Sequence, residues 1–176
     1  STTLSMANAR IQFSLKQNIE ISQYTHEFIK EFPEKMEVDG DQPDLYFRKE
    51  GNLFLTDPKN KDSALKDLEL QKEMDCRVNW LEPQEIESKF PLYSAHSAAG
   101  VTWSPDDGYL DPHSFLNGFR QKASSLGAHL TEDRAEKLLK NKKRITGARL
   151  RSGEIISSPC VVNAAGAWAA ELARHA

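Results

Sequence analysis

Apolar side chains recur every three or four residues over 15–37, a spacing typical of a helix with one buried face. These positions are Ile19, Ile21, Tyr24, Phe28, Ile29 and Phe32. Ser14 suits the N-cap, and Pro33 is expected to interrupt or end the helix. Similar patterns predict helices over residues 61–74, 83–90 and 112–126. Asp111-Pro112 is a favourable start for the last of these, because Asp caps a helix and Pro fits its first turn.

Short apolar runs bounded by turn residues predict strands. Residues 45–48 and 52–56 predict a hairpin across Lys49-Glu50-Gly51, and further strands are predicted over 77–81 and 98–103. Weaker candidates are residues 128–130, 136–140 and 145–151, the last two forming a second hairpin. The pattern as a whole predicts an α+β fold, with a mostly antiparallel sheet from residues 45–56, 78–81 and 98–103 that carries the helices.

The stretch from Cys160 to Ala173 predicts a buried strand, a glycine-bearing turn and a helix. Val161 and Val162 are β-branched, and the Ala/Glu/Leu run after Trp168 favours helix. The small residues 163–166 would let a cofactor approach closely, and the free N–H groups of the helix start would suit a phosphate. The alternative is that they only let the helix pack tightly on a sheet.

Composition narrows the class of protein. The chain has 176 residues, 39% hydrophobic and 28% charged, with a net charge of −3, which is enough for a packed core. The sequence has no excess of basic residues of the kind that binds nucleic acid. No apolar run reaches the length of a transmembrane segment. No signal peptide is visible at the start. Cys76 and Cys160 have no metal or redox spacing, and we expect both to be buried and reduced, consistent with a cytoplasmic protein.

Several kinds of active site are not indicated. The sequence has no Gly-x-Gly-x-x-Gly fingerprint and no nucleophile elbow, and its histidines lack metal-ligand spacing. Asp106, Asp107 and Asp111 lack the other ligands of a calcium loop. We therefore predict no metal site, and no catalytic residue can be named.

Two segments resemble the D-amino-acid oxidase family of FAD-dependent oxidoreductases, which includes sarcosine dehydrogenases and glycine oxidase. The first is Val161-Val162-Asn163-Ala164-Ala165-Gly166-Ala167-Trp168, which resembles the turn that lies against the flavin. The second is the opening loop Ser1–Ser14, which resembles a Ser-Thr-x-x-Ser loop close to the flavin ring. An Asp-Gly-x-x-Asp-Pro segment at residues 107–112 also matches. The similarity is greatest to the members named FAD-dependent oxidoreductase domain-containing proteins.

The resemblance implies FAD as cofactor and a set of contacting residues. These are Ser1, Thr2, Thr3, Ser5, Ala135, Asn163, Ala164, Ala165, Gly166 and Trp168. The backbone of Ala135 would face the adenine. Arg10 would bind the substrate carboxylate, since a guanidinium matches it bidentately; the alternative is an ordinary surface arginine. Tyr46, Phe47, Phe54, Trp80 and Trp103 would line an apolar pocket or simply form core.

The resemblance also implies a domain arrangement. Residues 1–14 and 128–176 would be part of an FAD-binding, glutathione-reductase-like Rossmann domain, with the opening loop beside the turn at 163–168. Residues 15–127 would be a portion of the substrate-binding domain, with its returning helix. The chain starts without Met, and we expect it to be an internal piece of a longer polypeptide, whose remainder would be its partner.

The implied function is oxidation of a C–N bond in an amino acid or N-methyl amino acid of the sarcosine, dimethylglycine or D-amino-acid type. The longer protein would be the enzyme, and the isolated piece is expected to be inactive. The alternatives are a non-enzymatic α+β interaction module and a flavoprotein-derived assembly factor. For the location of the protein, the alternatives to the cytoplasm are the mitochondrial matrix and a peripheral site at a membrane.

Overall fold

The computed structural model describes residues 5–174, and Ser1–Leu4, His175 and Ala176 lie outside that range. The chain divides into two compact units, Ser1–Ala128 and His129–Ala176. Each unit is described by itself below.

Four helices belong to the first unit: α1 (Lys16–Lys35), α2 (Lys61–Glu73), α3 (Pro83–Lys89) and α4 (Pro112–Ser125). All four were predicted. Helix α1 begins after Leu15, which gives no side-chain cap, so Ser14 is not the N-cap. Pro33 lies inside the helix, which ends two residues later. A proline this close to the end disturbs only the last turn, because little helix remains to be broken.

Helices α4 and α3 start at side-chain caps. The Asp111 carboxylate accepts hydrogen bonds from the N–H groups of His113 and Ser114, as predicted for the N-cap of α4. These bonds and the bond from the Ser114 hydroxyl, which is the largest effect, lower the pKa of Asp111. Helix α3 starts with a capping box in which Glu82 and Glu85 satisfy each other's backbone N–H.

The main sheet has three antiparallel strands in the order β2 (Asn52–Thr56), β4 (Gly100–Ser104), β3 (Asn79–Leu81). The predicted hairpin of residues 45–48 with 52–56 is wrong. Tyr46 has a left-handed backbone with φ 49°, which a strand cannot contain. Strand β2 instead pairs with β4, with Phe54 opposite Thr102.

A second, two-stranded sheet joins the start of the chain to the middle. Strand β1 (Asn8–Ala9) pairs antiparallel with β5 (Gly108–Tyr109). On the other side of β5, the Arg48 N–H donates to the Tyr109 carbonyl at 2.9 Å. Neither short strand was predicted, because two residues carry no readable periodicity.

Three buried clusters hold the first unit together. Ile11 packs with Ile19, Leu68 and Val78. A second cluster contains Ile29, Phe32, Leu45 and Leu110, and Phe115 of α4 packs against it. A third cluster contains Ile86 of α3, Ala95 and Val101 of β4. Residue 11 thus anchors the opening loop in the core by its side chain.

The second unit is a three-stranded antiparallel sheet, β6 (Ala135–Asn141), β7 (Arg144–Leu150) and β8 (Ile155–Ser157), followed by the short helix α5 (Ala169–Ala173). The hairpin of β6 and β7 was predicted and β8 was not. Residues 128–130 form no strand, and neither do Val161 and Val162. Val162 is 85% exposed, since no neighbouring strand among residues 5–174 pairs with it; β-branching favours a strand only where a partner exists.

The mixture of helices with antiparallel sheets is the α+β class that the sequence predicted. Within residues 5–174, no helix combines the length and the apolar character that crossing a bilayer requires.

Candidate functional site

The opening loop is the first of the two segments with predicted flavin contacts. Ser1, Thr2 and Thr3 lie outside the described residues. Ser5 is exposed, and its hydroxyl accepts a hydrogen bond from the Ala7 N–H at 3.2 Å. Ala7 itself has a left-handed backbone, φ 43°. The loop therefore makes a tight turn before it enters β1.

Arg10 lies on two aromatic rings. Its guanidinium carbon is 4.9 Å from the centre of the Phe13 ring and 5.4 Å from that of Phe54. The side chain is exposed, and among residues 5–174 no acidic side chain lies within ion-pair distance of it. Contacts of a cation with ring faces use none of its hydrogen-bond donors, so they leave the N–H groups available to a carboxylate.

A polar network that the sequence did not reveal fixes this loop. Asp107 is completely buried, and its carboxylate accepts hydrogen bonds from the Ile11 N–H at 3.0 Å and the Ser104 hydroxyl at 2.8 Å. Its second oxygen accepts from the Asn52 amide at 3.0 Å. The Asn52 side chain in turn pairs with the amide of Asn8. The sequence signal was the Asp-Gly-x-x-Asp-Pro segment at residues 107–112, which gave Asp107 no role, and an Asp next to a Gly is also typical of an ordinary turn.

The second unit contains a cavity of about 970 Å³, at the large end of the range for small-molecule pockets. Three of the predicted flavin-contacting residues line it: Ala135 from the start of β6, and Ala165 and Trp168 from the turn before α5. Trp168 is 57% exposed. The fold thus brings together two segments that are about thirty residues apart in the sequence.

The turn from Asn163 to Trp168 is held by hydrogen bonds of the Asn163 side chain. The Asn163 amide donates to the Ala169 carbonyl at 2.8 Å, and its oxygen accepts from the Ala165 N–H at 3.2 Å. Gly166 has φ 56°, where glycine is favoured, and a Cβ there would meet no atom of residues 5–174 within 4 Å. Asn163, Ala164 and Gly166 are exposed, so open space lies in front of the turn.

Charged side chains surround the same cavity: Asp133, Arg134, Glu136, Lys137, Arg149, Arg151 and Glu171. Arg134 forms an ion pair with Glu171 of α5, with 3.1 Å between Nη2 and Oε1. The Asp133 carboxylate accepts from the N–H groups of Arg134 and Ser152. Hydrogen bonding, first from the Ser152 side chain and then from these N–H groups, lowers the pKa of Asp133. The strands and α5 are therefore tied together around the cavity.

A smaller cavity of about 320 Å³ lies in the first unit, beside His26, Cys76 and Asp106. Burial lowers the pKa of His26, against the opposing pull of Asp107 and Asp106. The Nε2 atom of His26 is buried and has no hydrogen-bond partner among residues 5–174. Burial also raises the pKa of the Cys76 thiol.

Several predictions about individual residues need correction. Cys76 is half-buried and Cys160 is exposed, although both are free thiols. Of the five aromatic residues assigned to a pocket or the core, Tyr46 is 63% exposed and Phe54 38% exposed. Phe47, Trp80 and Trp103 are half-buried. Within the described range, no group of three or more His, Cys, Asp or Glu side chains is arranged to hold a metal ion.

Comparison with known proteins identifies the family. Residues 5–176 match the family described as FAD dependent oxidoreductase. The chain belongs to this family. The cofactor of these FAD-dependent oxidoreductases is the one that the resemblance implied.

Relatives of this FAD-dependent oxidoreductase chain include FAD-dependent oxidoreductase domain-containing protein 1 of Bos taurus, 29% identical over 196 residues, covering 100% of this chain and 40% of that protein. Sarcosine dehydrogenase, mitochondrial, of Mus musculus is 28% identical over 141 residues, covering 72% of this chain and 14% of the relative. The chain thus spans about two fifths of the length of the first of these relatives and less of the second.

Solved structures share the fold. L-proline dehydrogenase from P. horikoshii has a TM-score of 0.80 at 26% identity, covering 94% of this chain and 43% of that one. Glycine oxidase from Geobacillus kaustophilus has a TM-score of 0.80 at 19% identity, covering 99% of this chain and 47% of that one. The predicted fold class, an α+β portion of such a flavoprotein, is confirmed.

The residues of the second unit suit part of an FAD molecule. The exposed ring of Trp168, the small residues of the turn and the cationic side chains of the cavity offer a flat apolar surface and partners for anionic groups. The individual contacts stay predictions, as does the grouping of residues 1–14 with 128–176 in one domain.

Proposed function

We propose that the protein containing this chain is an FAD-dependent enzyme that oxidises a C–N bond of an amino acid or N-methyl amino acid. Family membership supports the cofactor and the reaction class. The names of its relatives and structural neighbours, sarcosine dehydrogenase, glycine oxidase and L-proline dehydrogenase, support the substrate class.

The observation that carries the proposal is the cavity of the second unit. Ala135, Ala165 and Trp168 were assigned to flavin contact from the sequence, and all three line it. Under the proposal, the Ala135 backbone faces the adenine and the turn Asn163–Trp168 lies against the cofactor. Contact of Ser1, Thr2, Thr3 and Ser5 with the cofactor is proposed from the resemblance alone. Bound FAD supplies the chemistry by accepting the hydride from the substrate carbon.

Arg10 binds the substrate carboxylate in this proposal. The guanidinium lies on Phe13 and Phe54 and has no acidic neighbour within ion-pair distance in the described part of the chain. An arginine that is oriented by rings but has unused donors is suited to form bidentate hydrogen bonds with both oxygens of a carboxylate. This orients the substrate without moving a proton.

The experiment uses the whole polypeptide, purified with its FAD. Under anaerobic conditions it is mixed in turn with sarcosine, dimethylglycine, glycine, L-proline and D-alanine, and the visible flavin absorbance is followed. We expect at least one of these amino acids to bleach the flavin. We expect Arg10→Gln to lower the affinity for that amino acid. A flavin that none of them reduces would overturn the enzyme proposal and favour the assembly-factor alternative.

We propose the cytoplasm as the location, with the mitochondrial matrix and a peripheral site at a membrane as the alternatives. The matrix is supported by the word mitochondrial in the names of the sarcosine dehydrogenase relatives. Cell fractionation followed by detection of the whole polypeptide distinguishes the three.

A further inference from the structure

We infer that Asp107 is a positioning residue that holds the opening loop, and with it Arg10, in the geometry needed to bind a carboxylate. The inference rests on the role of Arg10 in the proposed function. It concerns a side chain that faces the inside of the first unit and that nothing in the sequence pattern assigned to the site.

Asp107 is a buried carboxylate without a cationic partner in the described part of the chain. It is 0% exposed, and among residues 5–174 no cationic side chain lies within ion-pair distance of it. Its half-buried neighbour Asp106 instead faces Lys49 at 3.7 Å and Arg77 at 3.5 Å. A buried carboxylate loses its hydration, and without a cation only hydrogen bonds from the protein offset that cost. Such a residue therefore contributes little to the stability of the fold.

The three hydrogen bonds of the carboxylate explain why the residue is acidic. The Ile11 N–H, the Ser104 hydroxyl and the Asn52 amide all donate to it. A carboxylate is the side chain that only accepts, through two oxygens, and it can satisfy all three donors. An asparagine at this position would turn an N–H₂ group toward one of them.

The backbone is held on both sides of Arg10. Ala9 pairs with Gly108, and the Ile11 N–H donates to the Asp107 carboxylate. Gly108 fits because it has no Cβ, since an added Cβ would lie 2.0 Å from the Arg48 carbonyl oxygen. Residues 107 and 108 thus fix the two neighbours of Arg10.

Asn52 links the Asp107 carboxylate to the strand that carries the Phe54 ring. It donates to Asp107, pairs its amide with that of Asn8, and accepts from the Gln12 side chain through its carbonyl at 3.0 Å. Asn52 also begins β2, the strand that carries Phe54. One carboxylate therefore sets the place of both the Arg10 backbone and the ring on which its side chain lies.

The test compares Asp107→Asn with the matched control Asp106→Asn in the whole FAD-loaded polypeptide. Two quantities are measured: hydrogen exchange of peptides covering residues 8–14, and the Kd of acetate from the shift it causes in the flavin spectrum. Acetamide, which lacks the charge, is the control ligand. We expect D107N to speed exchange in the loop about tenfold and to weaken acetate about fivefold to tenfold, with acetamide and D106N unchanged.

Asn52→Ala serves as the second variant and carries the test if D107N does not fold. It removes one donor to Asp107 and the pair with Asn8, so we expect smaller changes in the same direction. Wild-type exchange and a wild-type Kd in D107N, or in N52A where D107N is unfolded, would overturn the inference. A different result separates the two claims. If D107N speeds exchange but Arg10→Gln leaves acetate binding unchanged, Asp107 holds the loop, but Arg10 does not bind the carboxylate and is not positioned for it.

Discussion

The Arg10 guanidinium lies over the ring of Phe54, a residue of strand β2, with 5.4 Å between the guanidinium carbon and the ring centre. Phe13 adds a second ring at 4.9 Å. Such contacts are worth about 0.5–1 kcal/mol at exposed sites, and they orient a cation without using its hydrogen-bond donors. The site therefore depends on aromatic character at position 54 as well as on the arginine.

Replacing Phe54 by leucine should weaken carboxylate binding without unfolding the protein. Leucine keeps apolar contact but has no ring to attract the cation, so we expect the Kd of acetate to rise about twofold to fivefold. Phe54→Tyr keeps the ring and should bind acetate like the wild type. Equal affinities for F54L and F54Y, measured by flavin absorbance, would show that the ring has no part in holding Arg10.

The ion pair of Arg134 with Glu171 should contribute to FAD binding, because it ties β6 to α5 at the cavity. Both side chains are 58% exposed, so solvent screens the pair and it is worth about 0.2–1 kcal/mol. We expect Arg134→Gln and Glu171→Gln each to raise the Kd of FAD by up to about fivefold. The measurement is FAD fluorescence quenching at low salt.

A charge exchange provides the control for this pair. The double variant R134E/E171R restores the attraction in the opposite sense and should recover most of the affinity. In a double-mutant cycle the two glutamine variants should be non-additive. Additive effects that the exchange does not rescue would mean that each residue acts alone.

The 176-residue chain by itself should bind FAD weakly. It contains two of the predicted cofactor-contacting segments but no Gly-x-Gly-x-x-Gly fingerprint to hold the pyrophosphate. Equilibrium dialysis of the chain against FAD should therefore show no tight complex, while the whole polypeptide retains its flavin. A yellow, stoichiometric complex of the isolated chain would contradict the placement of the cavity residues at the cofactor's edge.

His26 should make the protein less stable as the pH falls. Burial lowers its pKa below the ordinary value of 6.5, so near and below that pH the unfolded chain binds more protons than the folded one. The free energy of unfolding therefore falls as the pH drops through 6.5, and this loss levels off below the folded-state pKa. His26→Gln should lose less stability than the wild type between about pH 7 and 5 in urea unfolding. Parallel curves would show that His26 does not carry this dependence.

Gly118→Ala should destabilise the first unit although alanine favours helix. A Cβ at position 118 would lie 2.7 Å from two ring atoms of Phe32, which is itself fully buried. Overpacking costs about 1–3 kcal/mol and outweighs the gain of about 1 kcal/mol in helix propensity. Asn117→Ala on the exposed face of the same helix gains propensity without a clash and should be slightly stabilising. Thermal unfolding of the two variants gives the comparison.

Local signals were sufficient for the helices. The apolar spacing of α1 and the Asp111-Pro112 start of α4 appear in the structure at nearly the predicted bounds. The hairpin of β6 and β7 was also readable. In each case neighbouring residues in the chain supply the periodicity or the cap, so the information is local.

The strand partners in the first unit were not readable, because pairing there is decided by packing between distant segments. The sequence around Gly51 suggests a hairpin, yet β2 pairs with β4, and the left-handed Tyr46 leaves residues 45–48 outside the sheet. Val161 and Val162 have the composition of a strand but no partner among residues 5–174. A strand's backbone groups must bond to a neighbour, and which neighbour is available depends on the whole fold.

The sequence by itself determined the helices, the α+β class, the family and the turn at Asn163–Trp168. Only the tertiary structure decided that Ala135 lines one cavity with Ala165 and Trp168, that Arg10 lies on Phe54, and that Asp107 is buried beneath the opening loop. Composition and spacing describe what each segment prefers. Burial and hydrogen bonds between distant residues arise only when the segments pack, so a carboxylate that the sequence places in a turn becomes the fixed point of a loop.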